Sequence, residues 1–217
     1  MDDTPETGPE SPAAPDGAAP AAPAAPGGAG GAFWRRWKGF AICAVLCLVA
    51  DLLSKTLMFD YLGVTPGEMV AAPPEEMWDK TLGAPVVVVE NVFQWRAVAN
   101  TGMSFGRGGR RPRLILALAV LMIPAPILLA QSCREPGAPL WTLGAVFGGA
   151  LGNLHDRLAY GYVRDFCEFF IPRAEGDPYR GVFNVADIGI YFGMGIFMAW
   201  SAYRAFRNAP KRATGNH

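Results

Sequence analysis

The distribution of apolar positions along the chain predicts four membrane-spanning helices. An apolar stretch of about 20 residues is long enough, at about 1.5 Å per residue, to cross a hydrocarbon core of about 30 Å. Two prolines, Pro124 and Pro126, predict a kink in the second stretch. The four stretches cover about residues 39–59, 114–130, 140–158 and 185–203.

The apolar pattern changes character between the first two predicted spans. Residues 84–106, "APVVVVENVFQWRAVANTGMSFG", begin with a β-branched run and continue as an aromatic-rich segment. Both features are typical of strands. We therefore predict a small β element outside the membrane.

Small residues at helical spacing in the third predicted span favour close helix packing. Gly144, Gly148 and Gly152 lie four residues apart, so they share one helix face. Small residues at this spacing let two helix backbones approach each other closely. We interpret these glycines as packing positions.

The two ends of the chain differ from the apolar centre. Residues 1–32 are rich in Ala, Pro and Gly and contain acids but no base, a composition typical of a disordered tail. The basic, aromatic "FWRRWKGF" then resembles an interfacial anchor. We predict one transmembrane domain over 33–205 and a basic tail over 206–217, with cytoplasmic termini because basic residues precede the first span. The arginines within 107–113 lie on the opposite side, so charge alone does not decide the topology.

Composition narrows the possible functions. The formal net charge is zero, which does not point to a nucleic-acid partner. The four cysteines have no C-x-x-C spacing, and one of the two histidines is the terminal His217. A disulfide framework or a metal site is therefore not expected.

Polar residues at helical spacing form two groups within the predicted spans. Asp51 and Lys55 are i, i+4 with the acid first, the favourable order for an ion pair. Asn153, Asp156 and Arg157 are i, i+3, i+4 and share one face, on which Asp156 and Arg157 offset each other's charge. We favour a structural role for the Asp51–Lys55 pair and for Asp156.

Two further carboxylates are predicted to lie at one depth near the same membrane surface. Asp165 follows the third span and Asp187 lies near the start of the fourth, and these two ends are on the same side. A local alternative makes Asn184 the N-cap of the fourth helix and places Asp187 in its first turn, but this leaves Asp165 unexplained. Two neighbouring carboxyls do not both ionise readily, so one keeps a proton while the other acts as a base. Such a pair can activate water against a peptide carbonyl.

Four motifs in this order resemble the lipoprotein signal peptidase (signal peptidase II) family. They are "DLLSK", "NTGMSFG", "GGALGNLHDRLAYGYVRDF" and "FNVADIGIYFG", and the resemblance covers about residues 37–205. It implies an all-α protein of the bacterial inner membrane, with four transmembrane helices and a small extracytoplasmic β-sheet cradle near the active site. It also implies an aspartic endopeptidase that cleaves signal peptides from diacylglyceryl-modified prolipoproteins just before the lipidated cysteine.

The resemblance assigns a role to each matching residue. Asp165 and Asp187 would be the catalytic pair. Substrate-binding residues would be Asn100, Asn153, Arg157 and Asn184, and supporting residues would be Asp51, Lys55, Gly102 and Asp156. It implies no metal or other cofactor, a monomer, and prolipoproteins, membrane lipid and globomycin-type inhibitors as binding partners.

Some positions depart from the family pattern. Met103, Ser104 and Gly106 stand where "NTGAAFS" is usual, His155 replaces an apolar residue, and the segment 60–85 is longer. These departures bear on substrate preference. Two alternatives remain: a non-catalytic, lipoprotein-binding relative, and a small transport or proton-relay protein, although the latter would carry acids at mid-membrane on several helices.

Overall fold

The chain forms a helical bundle with a four-stranded sheet at one end. The computed structural model describes residues 28–65, 81–101, 112–135, 137–173, 175–176 and 178–208. The helices are Gly28–Tyr61 (α1), Pro112–Met122 (α2), Pro124–Ser132 (α3), Leu140–Ala159 (α4) and Val185–Asn208 (α5). The strands are Thr81–Val89 (β1), Phe93–Asn100 (β2), Val163–Ile171 (β3) and Tyr179–Phe183 (β4).

The observed helices lie over the predicted apolar stretches. The predicted kink is confirmed, since α2 and α3 are separate helices that meet at Ile123, just before Pro124. The predicted tail, residues 1–32, overlaps α1 at 28–32. Pro26 is the last proline before α1, so a helix can extend back to Gly28. Residues 1–27, 66–80 and 209–217 lie outside the described part.

Three stretches of helix within the described residues are long and apolar enough to cross a membrane. They are Trp37–Tyr61, Arg113–Ser132 and Val185–Asn208. The predicted third span, α4, is not among them. It carries Asn153, His155, Asp156 and Arg157 near its C-terminal end, and these polar residues lower its mean hydropathy. A four-span bundle therefore stays a prediction.

Helix α4 packs closely against both α1 and α5. A Cβ atom at Gly144 or Gly148 would overlap backbone carbonyl oxygens of α1. On the other side, a Cβ atom at Gly149 would overlap the Ala186 carbonyl oxygen of α5. These glycines therefore allow backbone-to-backbone contact, as the sequence predicts.

The sheet is antiparallel throughout, in the order β1-β2-β3-β4. Only the region of β1 and β2 was predicted from the residue pattern. β3 lacks the apolar–polar alternation of a half-exposed strand because both of its faces are buried from Val163 to Glu168. The turn between β1 and β2 places Asn91 at a φ of 58°, a conformation that asparagine tolerates.

An apolar cluster attaches the sheet to the end of the bundle. Phe59, near the end of α1, packs with Tyr162 and Phe166, and Ala97 and Ala99 of β2 complete its inner part. Tyr162 and Phe166, which lie on either side of Asp165 in the chain, are therefore both buried in this cluster. This cluster therefore holds β3 in place next to the ends of α4 and α5.

The glycine contacts can be tested with one substitution. We expect Gly148→Ala to lower the free energy of unfolding by about 3 kcal/mol, at the upper end of typical overpacking costs, because the added methyl group meets the backbone of Ala44. Thermal unfolding in detergent measures the change.

The matched control is Gly195→Ala in α5, where an added Cβ atom meets nothing within 4 Å. Alanine is a better helix former than glycine by about 1 kcal/mol, so this variant should be as stable as the wild type or slightly more stable. Equal unfolding temperatures for the two variants would contradict the packing interpretation.

Candidate active site

Asn184 connects the two candidate catalytic carboxylates. The Asp187 backbone N–H donates to Asn184 Oδ1 (3.0 Å), and the Asn184 backbone N–H donates to Asp187 Oδ2 (3.3 Å). This reciprocal cap begins α5, so the capping prediction is confirmed. The same asparagine donates through Nδ2 to Asp165 Oδ1 at 2.6 Å. The Asn184 side chain therefore both caps α5 and contacts Asp165.

Every carboxylate oxygen of the pair accepts a hydrogen bond from an N–H group. Asn100 Nδ2 donates to Asp165 Oδ2 (2.8 Å), and Asn153 Nδ2 donates to Asp187 Oδ1 (3.0 Å). Asn184 supplies the donors to the other two oxygens. Because β2, α4 and the start of α5 each contribute donors, the orientation of both carboxylates depends on the tertiary structure.

Asp165 lies in an environment that favours its protonated form. Its side chain is fully buried in β3. Burial, and then the negative charge of Asp187, raise the pKa of Asp165 to about 7, although hydrogen bonds from Asn100 and Asn184 oppose the change. A carboxyl with this pKa can hold a proton near neutral pH, as a general acid requires.

Lys55 is the cation at the centre of the polar network. The residue is fully buried. Its Nζ donates to Asp51 Oδ2 at 2.7 Å and to Asn153 Oδ1 at 2.9 Å, and lies 3.3 Å from Asp156 Oδ2. The predicted Asp51–Lys55 pair is therefore confirmed, and the fold adds two partners from α4.

Asp51 and Asp156 hold the backbone beside the two catalytic candidates. Asp51 Oδ1 accepts a hydrogen bond from the backbone N–H of Ala186 (2.9 Å), the residue before Asp187. Asp156 Oδ2 accepts one from the backbone N–H of Arg164 (3.0 Å), the residue before Asp165. Lys55 contacts both of these acceptors and so couples the start of α5 to β3.

The predicted offset of Asp156 by Arg157 is corrected by the structure. Asp156 pairs with Arg164, whose Nη2 lies 2.9 Å from its Oδ1, and with Lys55. Arg157 turns back along α4 instead and donates to the Asn153 carbonyl oxygen at 3.2 Å. Sequence reasoning assigned no role to Arg164. The signal that could have indicated it is a basic residue directly before Asp165, in a segment rich in aromatic residues.

A cavity of about 150 Å³ lies beside the site. It is lined by two cationic side chains, two aliphatic side chains and two small residues: Arg113, Arg157, Ile115, Leu116, Thr101 and Gly161. Thr101 directly follows Asn100, so this space begins next to the residue that contacts Asp165. The supporting candidate Gly102 lies outside the described residues. Within the part of the chain that the structure describes, no group of three or more His, Cys, Asp or Glu side chains could hold a metal ion.

Comparisons with known proteins agree on one family. The profile described as Signal peptidase (SPase) II matches residues 43–203. A lipoprotein signal peptidase of Sulfurihydrogenibium sp. is 27% identical over 163 residues, covering 72% of this chain and 86% of that protein. One of Pelotomaculum thermopropionicum is 36% identical over 121 residues, covering 55% of this chain and 73% of that protein.

Solved structures show the same fold. Two bacterial membrane enzyme structures obtained by the in meso method align with TM-scores of 0.59 and 0.53. Their sequences are 17% and 18% identical to this one. The alignments cover 81% and 75% of this chain and 94% and 91% of the respective solved chains.

The role of Asp156 can be tested by removing its charge. Asp156→Asn leaves Lys55 and Arg164 buried with less negative charge nearby. Breaking a buried ion pair in this way costs about 3–5 kcal/mol, so we expect the free energy of unfolding to fall by that amount.

The control is Glu135→Gln, which removes an acid from the exposed ion pair with Arg204. Exposed pairs contribute less than about 1 kcal/mol, so this variant should unfold at nearly the wild-type temperature. If Asp156→Asn were equally harmless, Asp156 would not organise the site.

Proposed function

The chain belongs to the signal peptidase II family, and on this basis we propose that it is an aspartic endopeptidase embedded in the bacterial inner membrane. Its substrates are diacylglyceryl-modified prolipoproteins, which it cleaves just before the lipidated cysteine. The observation that carries the proposal is the pair of carboxylates, Asp165 and Asp187, joined by Asn184 at the end of an apolar bundle.

The two carboxyls divide the chemistry of peptide hydrolysis between them. Asp165 is fully buried and its pKa is raised to about 7, so it holds the shared proton at the start. Asp187 is partly exposed and takes a proton from a water molecule, which attacks the scissile carbonyl carbon. Asp165 donates a hydrogen bond to the carbonyl oxygen. The amine leaving group then takes a proton from the pair, which returns to its single-proton state.

The surrounding polar groups orient the two carboxylates and bind the peptide next to the scissile bond. Asn100 and Asn153 hold the carboxylates with their amide nitrogens. Arg157 lines the adjacent cavity, and its guanidinium is suited to bind a substrate carbonyl oxygen and to stabilise charge that develops there. The cavity therefore receives the part of the peptide next to the scissile bond.

The exposed surface of the bundle supports lateral delivery of the substrate lipid. On α1, aliphatic side chains including Val45, Leu46, Leu53 and Leu57 are exposed, and they lie within a stretch apolar enough to span a membrane. A lipidated peptide can thus reach the carboxylates without leaving the bilayer. The termini face the cytoplasm, the site lies near the outer face, and globomycin-type inhibitors bind at the carboxylates of the monomer.

Cleavage of a lipidated substrate tests the proposal directly. A gel-shift assay with diacylglyceryl-modified prolipoprotein in liposomes compares the wild type with Asp165→Asn and Asp187→Asn. We expect both variants to lose activity by about 10³-fold or more, because one carboxyl and one amide cannot supply both a general acid and a general base.

Glu168→Gln is the matched control, since it converts another buried carboxylate of β3 to an amide. Glu168 pairs with Gln94 and Arg96, away from the catalytic pair, so this variant should cleave at close to the wild-type rate. Unfolding temperatures are needed for all three variants, because an amide at position 165 or 187 turns one N–H toward an existing donor. A folded wild type that binds but never cleaves the substrate would support the non-catalytic alternative.

The pH dependence follows from the shared proton. Activity should fall as pH rises above about 7, where Asp165 loses its proton. It should also fall in acid, where the pair takes up a second proton and no base remains. Initial rates from acid to alkaline pH measure the profile, and a flat profile would contradict shared-proton catalysis.

A further inference from the structure

The ionisable groups around the catalytic pair form a set whose charges balance in only one protonation state. Among the residues that the structure describes, the set holds four carboxyls and three bases. Asp51, Asp156, Asp165, Lys55 and Arg164 are buried, and Asp187 and Arg157, which are partly exposed, carry opposite charges. With all three bases charged, the sum is zero only when one of the four carboxyls keeps a proton. Net charge in a poorly solvated interior is costly, so the neutral state is favoured.

The geometry indicates which carboxyls share that proton. Asp51 and Asp156 are in direct ion pairs with Lys55, and Asp156 also pairs with Arg164. Asp165 and Asp187 accept hydrogen bonds from neutral amides and, at Asp187 Oδ2, from a backbone N–H. The carboxyls without a direct cation contact are those that most readily keep a proton. The proton that makes the whole set neutral is therefore held by Asp165 or Asp187.

Within the described residues, charged groups surround the pair from three elements, and Arg113 of α2, which lines the adjacent cavity, is exposed and therefore screened by solvent. Helix α1 contributes Asp51 and Lys55, α4 contributes Asp156 and Arg157, and β3 contributes Arg164. Strand β2 contributes the neutral amide of Asn100. His155 lies on the far side of Asp156, where its side chain is about half exposed, so solvent screens it.

Lys55 is connected to the pair by hydrogen bonds through one side chain, that of Asn153. Its Nζ lies 2.9 Å from Asn153 Oδ1, and the Nδ2 atom of the same amide lies 3.0 Å from Asp187 Oδ1. Asn184 Nδ2 also donates to Asn153 Oδ1 (3.1 Å) and reaches Asp165. A positive charge at Lys55 thus acts on both carboxyls across two polarised amides.

We propose that Lys55 is a positioning residue that keeps the catalytic pair at one proton rather than two on the acid side of neutral pH, by supplying a positive charge that balances this set. This inference rests on the proposed aspartic mechanism. Lys55 does not touch the substrate or the reacting atoms, and it acts through Asn153.

The first variant removes the charge alone. We expect Lys55→Met to move the pH optimum of cleavage upward by about one unit or more, since a nearby cation lowers a carboxyl pKa by about that amount. On the acid limb of the profile kcat should fall about tenfold while KM changes little, because the pair takes up its second proton at a higher pH and Lys55 makes no substrate contact. Activity should recover partly at higher pH, where the extra proton leaves.

The second variant restores the balance. Asp51→Asn with Lys55→Met removes one negative and one positive charge, and the amide oxygen at position 51 can still accept the Ala186 N–H. We expect this double variant to return the pH optimum to the wild-type value. Asp51→Asn alone should move the optimum to lower pH, because it leaves an extra positive charge beside the pair.

Two results would overturn the inference. One is a double variant with the same pH optimum as Lys55→Met, because the charge balance would then be irrelevant. The other is a Lys55→Met variant that loses activity at an unchanged optimum, as expected of a merely structural residue. Thermal unfolding confirms that each variant is folded. Failure of the wild type to cleave the lipidated substrate would instead refute the aspartic peptidase function itself.

Discussion

A buried ammonium group with acceptors on two helices is the interaction on which the site depends. Lys55 Nζ has one acceptor on its own helix, Asp51, and two on α4, Asn153 and Asp156. Each of the two aspartates then accepts a hydrogen bond from the backbone N–H of the residue that precedes a candidate catalytic carboxylate. The distance between β3 and the start of α5 is thus set by side chains of α1 and α4. Breaking such a buried set leaves charges without partners, which is costly in a poorly solvated interior.

Close packing of the helices is what makes these short polar contacts possible. Gly152 faces Asp51, where a Cβ atom would overlap the carboxylate. The glycines of α4 therefore serve the site as well as the bundle, because they bring α1 within hydrogen-bonding distance of Asn153 and Asp156. The small residues and the polar network depend on each other.

The departures from the family pattern leave the two candidate catalytic carboxylates unchanged. Among the substituted positions, His155 is the one within the described residues, and its side chain is about half exposed, with Nδ1 3.5 Å from Asp156 Oδ1. Ion-pairing to Asp156 is instead dominated by Arg164 and Lys55, which approach more closely. The residue at position 155 can therefore vary without changing the acceptors that hold β3 and α5.

Features that depend on local spacing could be predicted from the amino-acid sequence. The apolar stretches, the break before Pro124, the Asn184 cap with Asp187 and the Asp51–Lys55 pair each involve residues within about one helical turn, or one continuous run. The family resemblance added the expectation that Asp165 and Asp187 are the catalytic carboxylates. Contacts between distant segments became known only from the fold: β3 is buried on both faces, Asp156 pairs with Arg164 and Lys55 reaches Asn153. Lys55 and Asn153 are 98 positions apart in the chain, and no periodic pattern records such a contact. It exists because α1 and α4 meet along glycines and β3 crosses their ends, and these arrangements arise only when the whole chain has folded.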